Sequence, residues 1–238
     1  MLSPLRVIIS GGFSSSYRQL LPEFERSTGI AVTTLSGASQ GKGPETIAAQ
    51  LGRGVEADVA IMSREGLDEL IAAGRIVAGS DVDLATAGVG AAVRSGGRRP
   101  DIGTVADFKQ ALLAAKLVAV PASTSGIYLT EELFPRLGIA DRLKVRVMPR
   151  GSQSAALVAA GEADIAVQPT SELLAERGLD YLGPIPEELQ FIQTFSAAII
   201  AGSKEVEAAR RLIAFLSAVE AAAAIRKCGM EPVGKRKS

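Results

Sequence analysis

Short apolar runs alternate with segments of helical periodicity along most of this chain. The first run, residues 5–10 (LRVIIS), is typical of a buried parallel strand. After it, the apolar residues Leu20, Leu21 and Phe24 recur at helical spacing, and Gly29 is expected to end that helix. The pattern predicts strands at 5–10, 30–35, 57–62, 84–93, 117–120, 144–147, 163–167 and 191–200. It predicts a turn at 11–12, helices at 14–27, 65–73, 105–114, 152–160, 171–177 and 204–227, one more beginning at Pro44, and one from the loop 121–125 to near 137.

This alternation indicates an α/β protein with mainly parallel sheets and helices on both faces. The pattern changes after Asp81, where a long apolar run crosses into a second unit, and a second long run returns from it. We therefore expect two lobes, residues 1–84 plus 195–238 and residues 85–194, with hinges near 83–87 and 192–197. Two lobes joined by two crossings predict a ligand cleft between them. A single doubly wound sheet is the alternative.

The composition of the chain argues against several classes of function. Twenty-six basic residues balance 26 acidic ones, so the chain lacks the basic excess that attracts nucleic acid or a membrane surface. The absence of histidine excludes a Ser-His-Asp triad and removes the commonest metal ligand. We expect no metal, no cofactor and no nucleic-acid partner. One cysteine, Cys228, excludes an internal disulfide, and we expect a monomer.

The start of the chain leaves two compartments open. Residues 1–6 enter the first strand without a basic segment or a small-residue cleavage site. Either an upstream signal has been removed and the protein is periplasmic, or the protein is cytoplasmic. The longer apolar stretches are interrupted by glycine and charged residues, so no membrane span is expected.

Four loops share a pattern in which a strand ends, small hydroxyl or glycine residues follow, and a helix begins. Free backbone N–H groups and the helix dipole favour an anion at such places, and hydroxyls add donors. In a doubly wound arrangement the loops lie at the carboxyl ends of the strands, where ligands bind. Ordinary helix capping is the alternative reading of each loop. The loops are residues 10–14, 37–42, 123–126 and 151–154, with Ser123 and Lys42 as candidate donors and Arg150 beside the last loop.

Four collinear blocks resemble the molybdate-type periplasmic binding proteins. The segment 13–39 is similar to the family's opening, and 54–76 (GVEADVA followed by SREGLDEL and AGRI) resembles its "ADV…S…L…AG-I" block. Residues 152–168 (SQSAALVAAGEADIAVQ) and 201–216 resemble its later blocks. The resemblance covers nearly the whole chain and implies a type II periplasmic binding protein, in which two α/β lobes close on an oxyanion.

The resemblance also implies a ligand-binding set. Matching loop by loop carries over Ser10, Gly12, Ser39, Ser125 and Ser152. The chain departs from the family in its first loop, which reads SGGF instead of AASL. Gln168 also stands where the family has a molybdate-binding tyrosine. The amide and the extra glycines suggest a larger anion than molybdate, such as an organic carboxylate, with Gln168 among its contacts.

Three functions remain open. The first is a solute-binding protein that delivers a small anion to the membrane subunits of an ABC transporter. The second is an enzyme on the same fold, for example an isomerase of tricarboxylates such as aconitate isomerase, which moves a proton beside a carboxylate. Its base is unknown, and Lys42 is the candidate if desolvation lowers its pKa. The third, an intracellular anion sensor, uses the same binding chemistry as the first.

Overall fold

The computed structural model describes residues 4–234, and the chain divides into two compact units. Unit 1 comprises the chain up to Thr86 and from Thr194 onward, and unit 2 comprises Ala87–Gln193. The predicted divisions, after residues 84 and 194, lie within a few residues of these points. That the two units act as lobes closing on a ligand stays a prediction.

Unit 1 is built on three parallel strands flanked by helices. In chain order its elements are β1 (Leu5–Ile9), α1 (Gly11–Thr28), β2 (Val32–Ser36), α2 (Ile47–Gly52), β3 (Val59–Ser63), α3 (Arg64–Ala72), the start of β4 (Val82–Arg94), most of β9 (Ile192–Ile199), α9 (Val206–Leu216), α10 (Ala222–Lys227) and β10 (Glu231–Pro232). Strand β1 lies between β2 and β3 and is parallel to both, while β9 is antiparallel to β3. The short β10 pairs with β4.

Three local predictions for unit 1 were wrong. Gly11-Gly12 forms the first turn of α1 rather than a separate turn. Pro44 does not begin a helix; α2 begins at Ile47 because the Thr46 side chain caps it. The alanine-rich segment 204–227 is not one helix, since Ala218 adopts an extended backbone (ψ 157°) between α9 and a 3₁₀ turn that leads into α10. Gly29 does end α1, with a left-handed φ of 69°.

Unit 2 is also built on three parallel strands flanked by helices. Its elements are the rest of β4, α4 (Val105–Ala114), β5 (Val118–Pro121), α5 (Thr124–Ile127), α6 (Phe134–Arg136), β6 (Val145–Met148), α7 (Gly151–Ala159), β7 (Ile165–Pro169), α8 (Thr170–Leu173), β8 (Leu179–Pro184) and the first residues of β9. Strand β5 lies between β6 and β7 and is parallel to both. Strands β7 and β8 are both antiparallel to β4.

The helix predicted to end near residue 137 contains a wider π-helical turn, Tyr128–Leu133, between α5 and α6. Here the Tyr128 hydroxyl donates to the Leu189 carbonyl (2.9 Å) and its ring stacks on Phe191. The helix predicted at 171–177 ends at Leu173, and the sequence pattern did not predict β8. No helix among residues 4–234 is long and apolar enough to cross a membrane.

A buried carboxylate holds the sheet of unit 1 together. Asp58, which is 0% exposed, accepts hydrogen bonds from the Arg6 backbone N–H (2.9 Å), the Arg6 Nε–H (3.2 Å) and the Ser203 hydroxyl (2.9 Å). Desolvation by burial acts to raise the pKa of Asp58, but the hydrogen bonds from Arg6 and Ser203 outweigh it and hold the pKa below its usual value. The acidic residue of the family's "ADV" block therefore joins β1, β3 and the segment before α9.

We predict that Asp58→Ala lowers the free energy of unfolding by about 3 kcal/mol, because several partly buried donors lose their buried, charged acceptor. Since the folded pKa is depressed, this stabilisation is complete above about pH 4 and is lost as the pH falls through the folded pKa. Urea unfolding of the variant and the wild type between pH 3 and 7 measures both effects. Glu56→Gln, at an exposed partner of Arg6, is the control; an equal loss in the control would contradict the prediction.

Candidate functional site

The carboxyl ends of the parallel strands of unit 1 place three serines at one edge of the sheet. Ser10 follows β1, Ser39 lies in the loop after β2, and Ser63 is the last residue of β3. Because parallel strands end at the same edge, the structure brings the predicted residues Ser10 and Ser39 to a common side of unit 1. Ser63 was not among the predicted site residues, although it follows the same strand-serine-helix pattern.

Ser10 differs from the serines and threonines that cap other helices. The hydroxyls of Thr46, Ser63 and Thr104 each accept a hydrogen bond from a backbone N–H in the first turn of the helix they precede. Ser10 precedes α1 but makes no such bond. Its side chain is 4% exposed, and its Oγ has no hydrogen-bond partner among the described residues. The hydroxyl and the first N–H groups of α1 are left for another acceptor.

Ser39 is buried and holds the next strand in place. Its Oγ accepts the backbone N–H of Ser63 at 2.9 Å, which leaves the hydroxyl hydrogen able to donate elsewhere. The Ser39 carbonyl also lies so close to Gly66 that a Cβ there would come within 2.4 Å of it. Ser39 therefore joins the loop after β2 to β3 and the start of α3.

Two predicted residues of unit 1 have other roles or surroundings. Gly12 is buried, and a Cβ at this position would lie 2.0 Å from Cζ of Phe195. Its lack of a side chain thus makes room for an aromatic ring, and its contact with a ligand through the backbone stays a prediction. Lys42 is exposed, and its role as a base stays a prediction.

Unit 2 places its predicted serines at the corresponding edge of β6, β5 and β7. Ser123 and Ser125 follow β5, and Ser152 follows β6. Ser125 is 1% exposed, and its Oγ has no hydrogen-bond partner in the described part of the chain. Ser123 is half-buried and precedes α5 without capping it through its side chain. Ser152 is exposed in the first turn of α7. Ser125 thus matches Ser10 in burial and in its unused hydroxyl, but it lies in the first turn of its helix, whereas Ser10 precedes α1.

The side-chain amide of Gln168 forms hydrogen bonds within unit 2. Its Oε1 accepts from the Ser154 hydroxyl, and its Nε2 donates to the Gly151 carbonyl (3.1 Å) and to Glu172 Oε2 (3.3 Å). The side chain is 0% exposed. Through these bonds Gln168 links the end of β7 to the start of α7. That Gln168 also contacts a ligand stays a prediction.

Glu172 was missed by the sequence analysis. It lies in α8, four residues after Gln168, and its carboxyl group contacts the first residue of α7: a Cβ on Gly151 would overlap Oε2 at 1.7 Å. Desolvation by burial raises the pKa of Glu172 to about 7. A glutamate that follows a predicted site residue by four positions in QPTSEL was the available signal, but nothing in the sequence showed its burial.

Metal binding finds no support within residues 4–234, which contain no group of three His, Cys, Asp or Glu side chains arranged to hold an ion. The candidate groups are helix N-termini and serine hydroxyls in each unit and, in unit 2, the carboxyl group of the half-buried Glu172.

The fold is that of the type II periplasmic binding proteins. A periplasmic molybdate-binding protein from Azotobacter vinelandii has a TM-score of 0.74 at 19% identity, over 95% of this chain and 98% of that chain. A sulfate-binding protein from Mycobacterium tuberculosis H37Rv has a TM-score of 0.73 at 18% identity, over 98% and 88%. These similarities confirm the predicted fold.

The chain belongs to the bacterial extracellular solute-binding protein family, whose family model matches residues 5–231. It is also similar in sequence to an aconitate isomerase from a Pseudomonas species. The two are 38% identical over 234 residues, which cover 98% of this chain and 89% of that protein.

The raised pKa of Glu172 leads us to predict how the free energy of unfolding depends on pH. Between about pH 4 and 7 the unfolded chain releases this proton before the folded protein does, so the free energy of unfolding falls as the pH rises through this range. Glu172→Gln removes that penalty. We expect the variant to be more stable than the wild type by about 2 kcal/mol at pH 8 and about equal at pH 4. Thermal unfolding at both pH values measures this, and a difference that does not depend on pH would contradict it.

Proposed function

We propose that this protein binds a small organic anion bearing carboxylates, as a solute-binding protein. The observation that carries the proposal is the position of two buried hydroxyls that have no partner among the described residues: Ser10 precedes α1 in unit 1, and Ser125 lies in the first turn of α5 in unit 2. Ser16 and Ser171 share this lack of a partner among residues 4–234. Leaving a buried hydroxyl without a partner costs about 1–3 kcal/mol, so such a hydroxyl at the start of a helix is a candidate donor to a ligand.

The surroundings of the two hydroxyls support an anion over a neutral ligand. Ser10 precedes the 18-residue helix α1, and Ser125 lies in the first turn of a helical run that continues through Arg136. Each helix start presents N–H groups without intrahelical acceptors and the positive end of a helix dipole. Each hydroxyl adds a donor beside those groups. Whether one ligand is held by both units stays a prediction.

Two observations support an organic carboxylate over molybdate or sulfate. Gln168, which replaces the tyrosine of the molybdate-type pattern, is turned inward and donates to the protein itself. The relative of 38% identity is named for a tricarboxylate. We also propose, from the family's description as extracellular, that the protein acts outside the cytoplasm and passes its ligand to the membrane subunits of an ABC transporter.

We predict that citrate, cis-aconitate or trans-aconitate raises the midpoint of thermal unfolding, and that molybdate and sulfate do so less. A native-state ligand at a hundredfold excess over its Kd adds about 2.7 kcal/mol of stability. Ser10→Ala and Ser125→Ala should each weaken binding about 10- to 100-fold, because each removes a hydrogen bond to a charged group.

Ser16→Ala is the matched control for these variants, measured by calorimetric titration. It removes an equally buried, unpartnered hydroxyl from α1, away from the helix start, and should leave the Kd unchanged. Wild-type affinity in both Ser10→Ala and Ser125→Ala would contradict the proposed donors. The absence of any anion effect would reject the proposed function itself.

A second candidate function is the isomerisation of a tricarboxylate, favoured by the identity with the aconitate isomerase over nearly the whole chain. If the protein is this enzyme, wild-type protein incubated with trans-aconitate should produce cis-aconitate, followed by proton NMR. Binding without interconversion would leave the solute-binding function and exclude the isomerase.

A further inference from the structure

We propose that Glu172 is the residue that moves the proton when this protein isomerises a tricarboxylate, an inference that rests on the second candidate function above.

Interconverting the two geometric isomers of an unsaturated tricarboxylate requires the double bond to be lost and re-formed. A base can do this by taking a proton from the methylene carbon next to a carboxylate. The C–H electron pair then forms a new double bond to the central carbon, and the electron pair of the old double bond takes the proton at its far carbon. One C–H bond breaks and one forms, so no oxidant, reductant or cofactor is consumed. The protein must supply one group that accepts and returns a proton near neutral pH.

Few residues of this chain suit that task. The sequence has no histidine, and Lys42 is exposed. Burial raises the pKa of two glutamates at helix starts, Glu65 and Glu172. Glu65 accepts hydrogen bonds from Ser63 and from its own backbone N–H, which act to lower its pKa, and its Oε2 has no partner among the described residues. Glu172 accepts a hydrogen bond from Gln168 at Oε2 (3.3 Å), and desolvation alone shifts its pKa.

The surroundings of Glu172 orient its carboxyl group at the edge where the proposed anion donors lie. The Gly151 backbone at the start of α7 packs against Oε2, which only a residue without Cβ allows. Ser154 fixes the amide of Gln168, which in turn donates to Oε2 at 3.3 Å. Gln168 is therefore a positioning residue. Helix α8 follows β7, the neighbour of β5, after which Ser125 lies. A carboxylate of the substrate at these helix starts would place its α-carbon on the same side of unit 2.

The protonation of Glu172 suits both steps of the transfer. Because its pKa lies at about 7, the base and acid forms are both populated at neutral pH. The shift arises from desolvation, without a contribution from a charged neighbour in the described residues. Among the described residues, the titratable or charged groups on the neighbouring elements include Asp180 and Tyr181 of β8 and Arg150 before α7, and the Tyr181 hydroxyl is hydrogen-bonded to Thr170.

Glu172→Gln tests the proposal, since the amide keeps the shape of the side chain and can still accept from Gln168. We expect turnover of trans-aconitate to fall at least 100-fold, with the Kd unchanged or lower because a negative charge is removed. In the wild type, turnover limited by the base should rise with pH through about 7, and the variant should lose this step. Deuterium uptake from solvent into the tricarboxylate, read by NMR, should fall in parallel.

Glu162→Gln, at an exposed carboxylate just beyond the other end of α7, is the control and should turn over like the wild type. If the wild type isomerises and Glu172→Gln keeps its rate or its pH profile, the assignment of Glu172 is wrong while the isomerase function stands. If the wild type binds tricarboxylates without isomerisation or deuterium uptake, both the assignment and the isomerase function are wrong, and the solute-binding function remains. Equal losses in Glu172→Gln and Glu162→Gln would also overturn the assignment.

Discussion

The site of this protein depends on backbone N–H groups that helices cannot satisfy by themselves. The first turn of every helix has N–H groups without intrahelical acceptors, and parallel strands followed by helices bring several such turns to one edge of a sheet. In unit 1 this edge lies beyond β1, β2 and β3, and in unit 2 beyond β5, β6 and β7. The placement of serines, of Gln168 and of Glu172 follows from this arrangement of strands and helices.

The hydrogen bonds at each helix start distinguish serines and threonines that stabilise the fold from those available to a ligand. Thr46, Ser63 and Thr104 cap their helices, so their hydroxyls contribute to stability. Ser10 occupies the same capping position, and Ser125 lies in the first turn of its helix, but neither hydroxyl has a partner among the described residues. At α7 the first residue is in contact with the Glu172 carboxyl, a group of the protein that competes with an external anion when it is ionised. The helix starts of the two units therefore differ in the groups that surround them.

The order of strands and helices was predictable because apolar periodicity and local caps determine it. Helix α4 has its predicted bounds, and Thr104 caps it. Strand β8 was missed because LDYLGP carries an aspartate, a glycine and a proline, and it forms a strand only through pairing with β4. The break at Ala218 was missed because alanine has a high helix propensity, which tertiary structure overrides here.

The site was less predictable than the fold, because it depends on contacts between distant segments. The sequence shows serines and threonines before helices. It does not show that the Thr46 hydroxyl caps its helix while the Ser10 hydroxyl does not. Gln168 was expected to face the ligand, and its bonds to Ser154, Gly151 and Glu172 arise only when β7 lies beside α7. The burial of Glu172 has the same origin.

The contact between Gly12 and Phe195 links the start of α1 to the strand that returns from unit 2. The ring of Phe195 occupies the volume that any side chain at position 12 would need. Residues 12 and 195 are therefore expected to change together in relatives. A relative with alanine or a larger residue at position 12 needs a smaller side chain at position 195 or a shifted β9. Gly12 is therefore required by the size of the Phe195 side chain. A replacement at position 12 in a relative would indicate a change in β9 rather than a change of ligand.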